Sequence, residues 1–263
     1  MIPELAGLLR SSIAQSLEDR VAIAFSGGLD STLIAAVAKK HAETELFVVG
    51  TEKCDDVRFS IESAKIMDLP LKQVIIEEKA ILETYEKCYS IMPGDLMRAE
   101  LMVPIYKCAE AAKSAGHDVL LFGCAAEELF VGYERYFIYH EEGKNLEDLL
   151  IKEFKELNNR EIAWISKVCR KFGVEARFPL YKKEIEKFVR EIPLEILMED
   201  RVKKKGILRE AGKILGVPDI VLQRRKHAMQ YGSGIHKVIM KHSKELSGGK
   251  ELRIHLESSS PSI

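Results

Sequence analysis

One junction constrains this chain more than any other. Val21–Phe25 reads VAIAF, a short, continuous apolar run of the buried-strand type. Ser26–Ser31 follows as SGGLDS, and helical periodicity restarts at once over Thr32–Lys40. A strand that turns through two glycines straight into a helix lets the backbone come close to a ligand. It also aims the free N–H groups and the positive dipole end of the helix at that ligand, which suits an anion. Ser26, Ser31 and Thr32 add hydroxyl groups. Asp30 is the odd member, because a carboxylate beside a phosphate repels it. A magnesium ion, which takes carboxylate and phosphate oxygens together, resolves the conflict. The segment lacks the Gly-Lys-Ser/Thr of a Walker loop, the G-x-G-x-x-G of a dinucleotide fold and the G-x-S-x-G of a nucleophile elbow.

The rest of the chain sets this junction in an α/β frame. Residues 3–19 carry Leu5, Leu8, Leu9, Ile13 and Leu17 at helical spacing. Leu46–Val49, Gln73–Ile76 and Val119–Phe122 read as further strands, with helices expected over 56–68, 79–89 and from the Pro93-Gly94-Asp95 break to about Ala115. Alternation from 21 to 123 predicts a doubly wound, mostly parallel sheet. After 145 the strand signal disappears, and 145–173, 181–191 and 203–215 read as helices, so a helical C-terminal half is expected. We expect one domain over 1–245, with the sheet core at about 20–135 and the helical part at about 145–235. Residues 246–263, polar and rich in Ser and Gly, read as a flexible tail.

With 46% hydrophobic and 31% charged residues, the chain reads as globular rather than disordered. No apolar run approaches the roughly 18 residues of a membrane span. Five cysteines without a C-x-x-C pair predict reduced thiols and a cytoplasmic protein. The net charge of −1 argues against a generic polyanion binder. Its distribution is uneven: residues 200–245 hold 12 basic and 4 acidic side chains, a balance of +8. That block is either a solvated face or an anion site for phosphate or RNA.

SGGLDS resembles the pyrophosphate-binding loop of the PP-loop ATP pyrophosphatases, which split ATP between its α and β phosphates. Three further stretches resemble the synthetase domain of asparagine synthetases. GCAAEELFVGY (123–133) is similar to the G-E-G-x-D-E-x-F-x-G-Y block, and GVEARFPLYKKEIEKFV (173–189) to the G-V-E-x-R-x-P-F-L-D stretch. KKKGILREA (203–211) and RRKHAMQYGSG (224–234) are similar to the family's lysine and L-R-E elements. The resemblance runs over about residues 5–235. It implies an ATP-dependent, AMP-forming amidoligase that adenylates a carboxylate, of aspartate or another acid, and then admits ammonia.

Carried over residue by residue, the resemblance gives Phe25, Ser26, Gly27, Gly28, Asp30 and Ser31 to the ATP loop. Val49-Gly50 and Phe122-Gly123 become backbone contacts to the nucleotide. Asp30 and Glu127 become Mg²⁺ ligands, Glu127 standing where the family usually has Asp. Lys205 and Lys226 would face the triphosphate as catalytic cations. Cys124 stands where the family has a catalytic Glu, and Tyr181-Lys182 where it has Leu-Asp, so the acceptor acid is open. The family's glutaminase domain, with its N-terminal cysteine, has no counterpart in Met1-Ile2-Pro3. Free ammonia or a separate glutaminase subunit would then supply nitrogen. A homodimer is compatible with all this, and no membrane partner is expected. Two alternatives remain: a PP-loop enzyme modifying RNA or another small molecule, and a nucleotide-binding subunit that has lost amidation.

Overall fold

The structure, a computed structural model, describes residues 1–224 and 232–242. The first half alternates as expected: α1 (Ile2–Ala14), β1 (Arg20–Ala24), α2 (Leu29–Ala38), β2 (Glu43–Gly50), α3 (Asp55–Met67), β3 (Leu71–Ile75), α4 (Glu78–Ile91), α5 (Leu96–Ser114) and β4 (Val119–Leu121). Then come α6 (Ala126–Leu129), α7 (Glu134–Glu141), α8 (Leu146–Glu156), α9 (Glu161–Arg170), β5 (Glu175–Arg177), α10 (Lys183–Arg190), α11 (Leu194–Leu197), α12 (Gly206–Leu215) and α13 (Asp219–Gln223). We label Ile235–Lys241 α14.

The five strands are parallel and run in the order β3-β2-β1-β4-β5. β1 is therefore central and buried on both faces. Its alternating side chains divide the core: Val21, Ile23 and Phe25 join α1, α2 and α12 in one apolar cluster. Ala22 and Ala24 face the other, built from α4, α5, α9 and α14. This is period-two packing against helices on both faces, the doubly wound arrangement.

Two expectations are corrected. The strand signal does not end at 145, because Glu175–Arg177 pairs with Val119–Leu121 as a fifth strand. The expected helix over 145–173 is two helices parted by a 3₁₀ turn at Leu157–Asn159, where two asparagines favour a turn over helix and Arg160 leaves helical backbone. Among the described residues no helix is long and apolar enough to cross a membrane. All five cysteines are free thiols, as their spacing predicts.

The order places the site. From β1 the chain winds through α2 and α3 to β3 at one edge, and only then returns across α4 and α5 to β4 beside β1. The loops leaving the carboxyl ends of β1 and β4 therefore part in opposite directions. A crevice at such a switch point is where open α/β sheets bind ligands.

Candidate active site

Both loops that border the crevice carry residues singled out in the sequence. Phe25 closes β1, its N–H bonding the Phe47 carbonyl at 2.8 Å, and the chain then leaves the sheet. Gly27 sits at φ +64°, and a β-carbon there would lie 2.7 Å from the Phe59 carbonyl carbon. Gly27 thus serves the fold of the loop. Gly28 is different: its backbone is extended, and a β-carbon would meet only the Ser26 hydroxyl, at 3.2 Å. Ser31 ties the turn together, its Oγ accepting from the Ser26 N–H at 3.4 Å and donating to the Gly28 carbonyl at 3.3 Å. No side chain caps the start of α2. Its opening N–H groups thus face the crevice with a positive end.

β2 runs past the end of β1. Phe47 bonds toward β1 and Gly50 toward β3, through Ile76. In a parallel ladder the facing alternates, so the N–H and C=O of Val49 point toward β1's side, beyond the last β1 bond. Of the expected backbone pair Val49-Gly50, Gly50 faces the other way, its carbonyl taken by the Ile76 N–H at 3.0 Å. The Thr51 N–H donates to the Ser233 carbonyl at 3.0 Å, so the segment before α14 covers this strand end.

From β4, Phe122 bonds to the Arg177 carbonyl and stacks on Phe178. Gly123 then passes the second loop close to the first, for a β-carbon on it would lie 2.9 Å from Asp30 Cβ. Ala125 turns the chain at φ +81°. The second glycine of the family pattern falls there, and an alanine in left-handed backbone costs roughly 1–2 kcal/mol. We therefore expect Ala125→Gly to raise stability by about 1 kcal/mol, read as a higher urea midpoint with an unchanged slope.

The two loops meet through a lysine. Lys205 Nζ lies 2.7 Å from Asp30 Oδ2, 3.0 Å from Asp30 Oδ1 and 2.9 Å from Glu127 Oε1. Only 4% of its surface is exposed. Burial alone would push this ammonium down, but Asp30 and Glu127 outweigh burial and hold it above its ordinary range. Lys204 and Lys205 both take left-handed backbone at the start of α12. Arg209 fixes that turn by donating to the carbonyls of Lys203, Lys204, Val221 and Leu222. Gly132 completes the cluster, since a β-carbon there would overlap Glu127 Oε2 at 1.7 Å.

Of the two expected catalytic lysines, only Lys205 can be placed. Lys226 lies outside the described residues. Among the described residues of the basic block, Arg201 and Lys204 are engaged with Glu134 and Lys241 with Glu78. Arg224 does reach the first loop. Its Nη1 donates to the Gly27 carbonyl at 3.2 Å, and its guanidinium lies 3.4 Å from the Phe59 ring centre.

Cys124 is part-buried. Burial pushes its thiol far up, with Glu128, Glu161 and Asp30 adding to the shift, so the sulfur is protonated and neutral. Tyr181 packs on Phe154 of α8, a contact within the first core cluster.

Two buried carboxyls were not picked out as site residues. Glu128 is pushed up to about 7 by burial and then by Glu127. Asp56, at the start of α3 with Arg224 nearby at 3.9 Å, is pushed up to about 7 by burial. A carboxyl raised in this way binds its proton more tightly folded than unfolded. Its contribution is complete below the unfolded value of about 4 and is lost as pH rises through about 7. Asp56→Asn should accordingly flatten the fall in stability over that window, measured as urea midpoints from about pH 4 to 8. An unchanged slope would contradict the assignment.

Comparison with known proteins shows the family of the chain. The asparagine synthase family model matches residues 4–164 and 140–248. A putative glutamine-hydrolysing asparagine synthetase of Methanocaldococcus jannaschii is 31% identical over 92% of this chain and 51% of that protein. Asparagine synthetase B of Escherichia coli, also glutamine-hydrolysing, is 26% identical over 86% of this chain and 45% of that protein. The chain belongs to the asparagine synthase family. It spans about half the length of these curated relatives. Among solved structures, an NMN synthetase from Francisella tularensis aligns with a TM-score of 0.49 at 14% identity, covering 100% of this chain and 89% of that one.

Proposed function

We propose that the chain is an ATP-dependent, AMP-forming amidoligase. A carboxylate oxygen of the acceptor attacks the α-phosphorus of ATP, the α–β anhydride bond breaks and pyrophosphate leaves. Ammonia then attacks the acyl carbon, AMP leaves with the carboxylate oxygen, and the ammonia nitrogen gives up a proton. The observation that carries this reading is the ammonium of Lys205 between Asp30 and Glu127, at the switch point where the β1 and β4 loops meet.

Each part of the site has a task in it. The Ser26–Ser31 turn and the start of α2 supply N–H and hydroxyl donors for the phosphates. Val49-Gly50 and Phe122-Gly123 flank the nucleotide at the two strand ends. Asp30 and Glu127 offer hard oxygen donors around a spot that already holds positive charge, which fits Mg²⁺. Bound there, Mg²⁺ would neutralise charge on the pyrophosphate. Lys205 and Lys226 would stabilise the same charge as it develops. Cys124, being neutral, lines the acceptor side without taking a proton. Nitrogen would come as free ammonia or from a glutaminase, and a cytoplasmic setting goes with this chemistry.

The test is the nucleotide product. With Mg²⁺, ammonia and a panel of carboxylic acids, the chain should convert ATP to AMP and pyrophosphate only when an acceptor is present. Acid-independent release of ADP and phosphate would overturn the proposal. ATP binding with no turnover under any acid would favour a subunit that has lost amidation, the reading that Cys124 supports.

A further inference from the structure

A turn that holds phosphate must aim N–H groups at it and keep its carbonyl oxygens away. Carbonyls along Phe25–Gly28 are engaged inside the protein. That of Phe25 accepts from the buried Ser60 hydroxyl at 3.3 Å. That of Gly28 accepts from Ser31 Oγ at 3.3 Å and from the Thr32 N–H at 3.0 Å. The Gly27 carbonyl accepts instead from Arg224 Nη1, at 3.2 Å.

This last bond differs from the others. Ser31 and Ser60 sit on α2 and α3, the helices beside the turn. Arg224 comes from the end of α13, 197 positions away from Gly27 in sequence. Arg209 fixes the backbone before it by donating to the carbonyls of Val221 and Leu222. Only 13% of the Arg224 side chain is exposed, and Asp56 stays 3.9 Å from it, beyond hydrogen-bond reach. Among the described residues, the one hydrogen bond of this guanidinium goes to the Gly27 carbonyl. The peptide it holds lies between two glycines, Gly27 at φ +64° and Gly28 at φ −82°. Glycine on both sides makes that peptide the easiest in the turn to flip.

We infer that Arg224 is a positioning residue for the phosphates, acting through the Gly27–Gly28 peptide. The inference rests on the reading above that the nucleotide's phosphates occupy the turn. A peptide is planar and trans, so its C=O and N–H point in opposite directions. Arg224 lies over Phe59 of α3, on the β2 flank of the turn, whereas Asp30 meets Gly123 on the β4 flank. Holding the Gly27 carbonyl on the α3 side therefore turns the Gly28 N–H toward the other side, as a donor. Without Arg224 the peptide is free to flip, which sets an acceptor where phosphate needs a donor. The flip carries Gly28 to a positive φ, open to glycine and resisted by alanine.

The experiment is calorimetric titration of the full chain, in Mg²⁺, with inorganic pyrophosphate, ATP and AMP. We expect Arg224→Met to weaken pyrophosphate and ATP roughly tenfold, the scale of one hydrogen bond to a charged group. AMP, which lacks the β and γ phosphates, should stay within about twofold. The same substitution is then made in a Gly28→Ala background, where the β-carbon meets only the Ser26 hydroxyl. There it should cost less than about twofold, because alanine already closes the flipped state. An equal cost in both backgrounds would mean that Arg224 acts as a bare charge, and overturns the inference. So does a loss of AMP as large as that of pyrophosphate, the mark of a merely structural role. Unchanged pyrophosphate affinity in Arg224→Met also overturns it and leaves the nucleotide reading standing. A wild-type chain that binds neither pyrophosphate nor ATP removes that reading, and the inference with it.

Discussion

Replacing Lys205 by methionine should cost the protein both stability and turnover. The ammonium is buried between Asp30 and Glu127, so its loss leaves two carboxylates facing each other in a site largely closed to water. Breaking a buried pair from one side costs about 3–5 kcal/mol, since a buried charge loses its close counter-charge. Thermal unfolding should show the loss directly. Mg²⁺ should return more stability to Lys205→Met than to the wild type, because a divalent cation can fill the gap the ammonium leaves. Turnover should fall by about 10²–10³, the effect of losing one preorganised charge at developing pyrophosphate. Equal stabilisation of both proteins by Mg²⁺ would count against Asp30 and Glu127 as the metal-binding pair.

The second large effect separates two adjacent glycines. Gly28→Val should leave the fold intact, because its β-carbon meets only the rotatable Ser26 hydroxyl. The branched side chain would nevertheless stand where phosphate must approach the start of α2. ATP affinity should fall roughly a hundredfold, about 2.7 kcal/mol, measured by calorimetric titration with Mg²⁺. Gly27→Ala should do the reverse. Left-handed backbone at Gly27 imposes about 1–2 kcal/mol of strain on alanine, and the clash with the Phe59 backbone adds to it. Its signature is a lower melting temperature. Equal ATP affinity in wild type and Gly28→Val would remove the loop from the nucleotide site.

How far the sequence could be read follows from how each element is held. β1, β2 and β4 are buried on both faces, so their apolar runs announce them without periodicity. β5 could not be read that way. It is three residues long, Glu175-Ala176-Arg177, at a sheet edge, and Arg177 is spent on salt bridges to Glu175 and Glu18. It pairs because β4 lies beside it, which is tertiary information. The helix break at Leu157-Asn158-Asn159 did leave a local signal, the paired asparagines.

The site divides along the same line. The turn and its glycines were legible because backbone geometry demands particular residue types at fixed spacing. Asp30 and Glu127 were legible as a pair only through the family pattern, since 97 positions separate them in sequence (127 − 30) and the switch point brings them together. Lys205 was expected to face phosphate. The structure places its ammonium between the two carboxylates, because a buried ammonium takes the nearest negative charge. Asp56, Glu128 and Arg224 gave no signal above the many other charged residues around them. Their importance lies in burial, which composition does not record.

The most direct test of the account is a crystal structure of the chain with Mg²⁺ and an ATP analogue carrying a methylene link between its α and β phosphates. The account predicts the triphosphate on the Ser26–Ser31 turn and the metal between Asp30 and Glu127. It also predicts Lys205 drawn off the carboxylates toward phosphate oxygen. A nucleotide bound elsewhere, or one bound at the turn while Lys205 still bridges Asp30 and Glu127 with no metal between them, would contradict it.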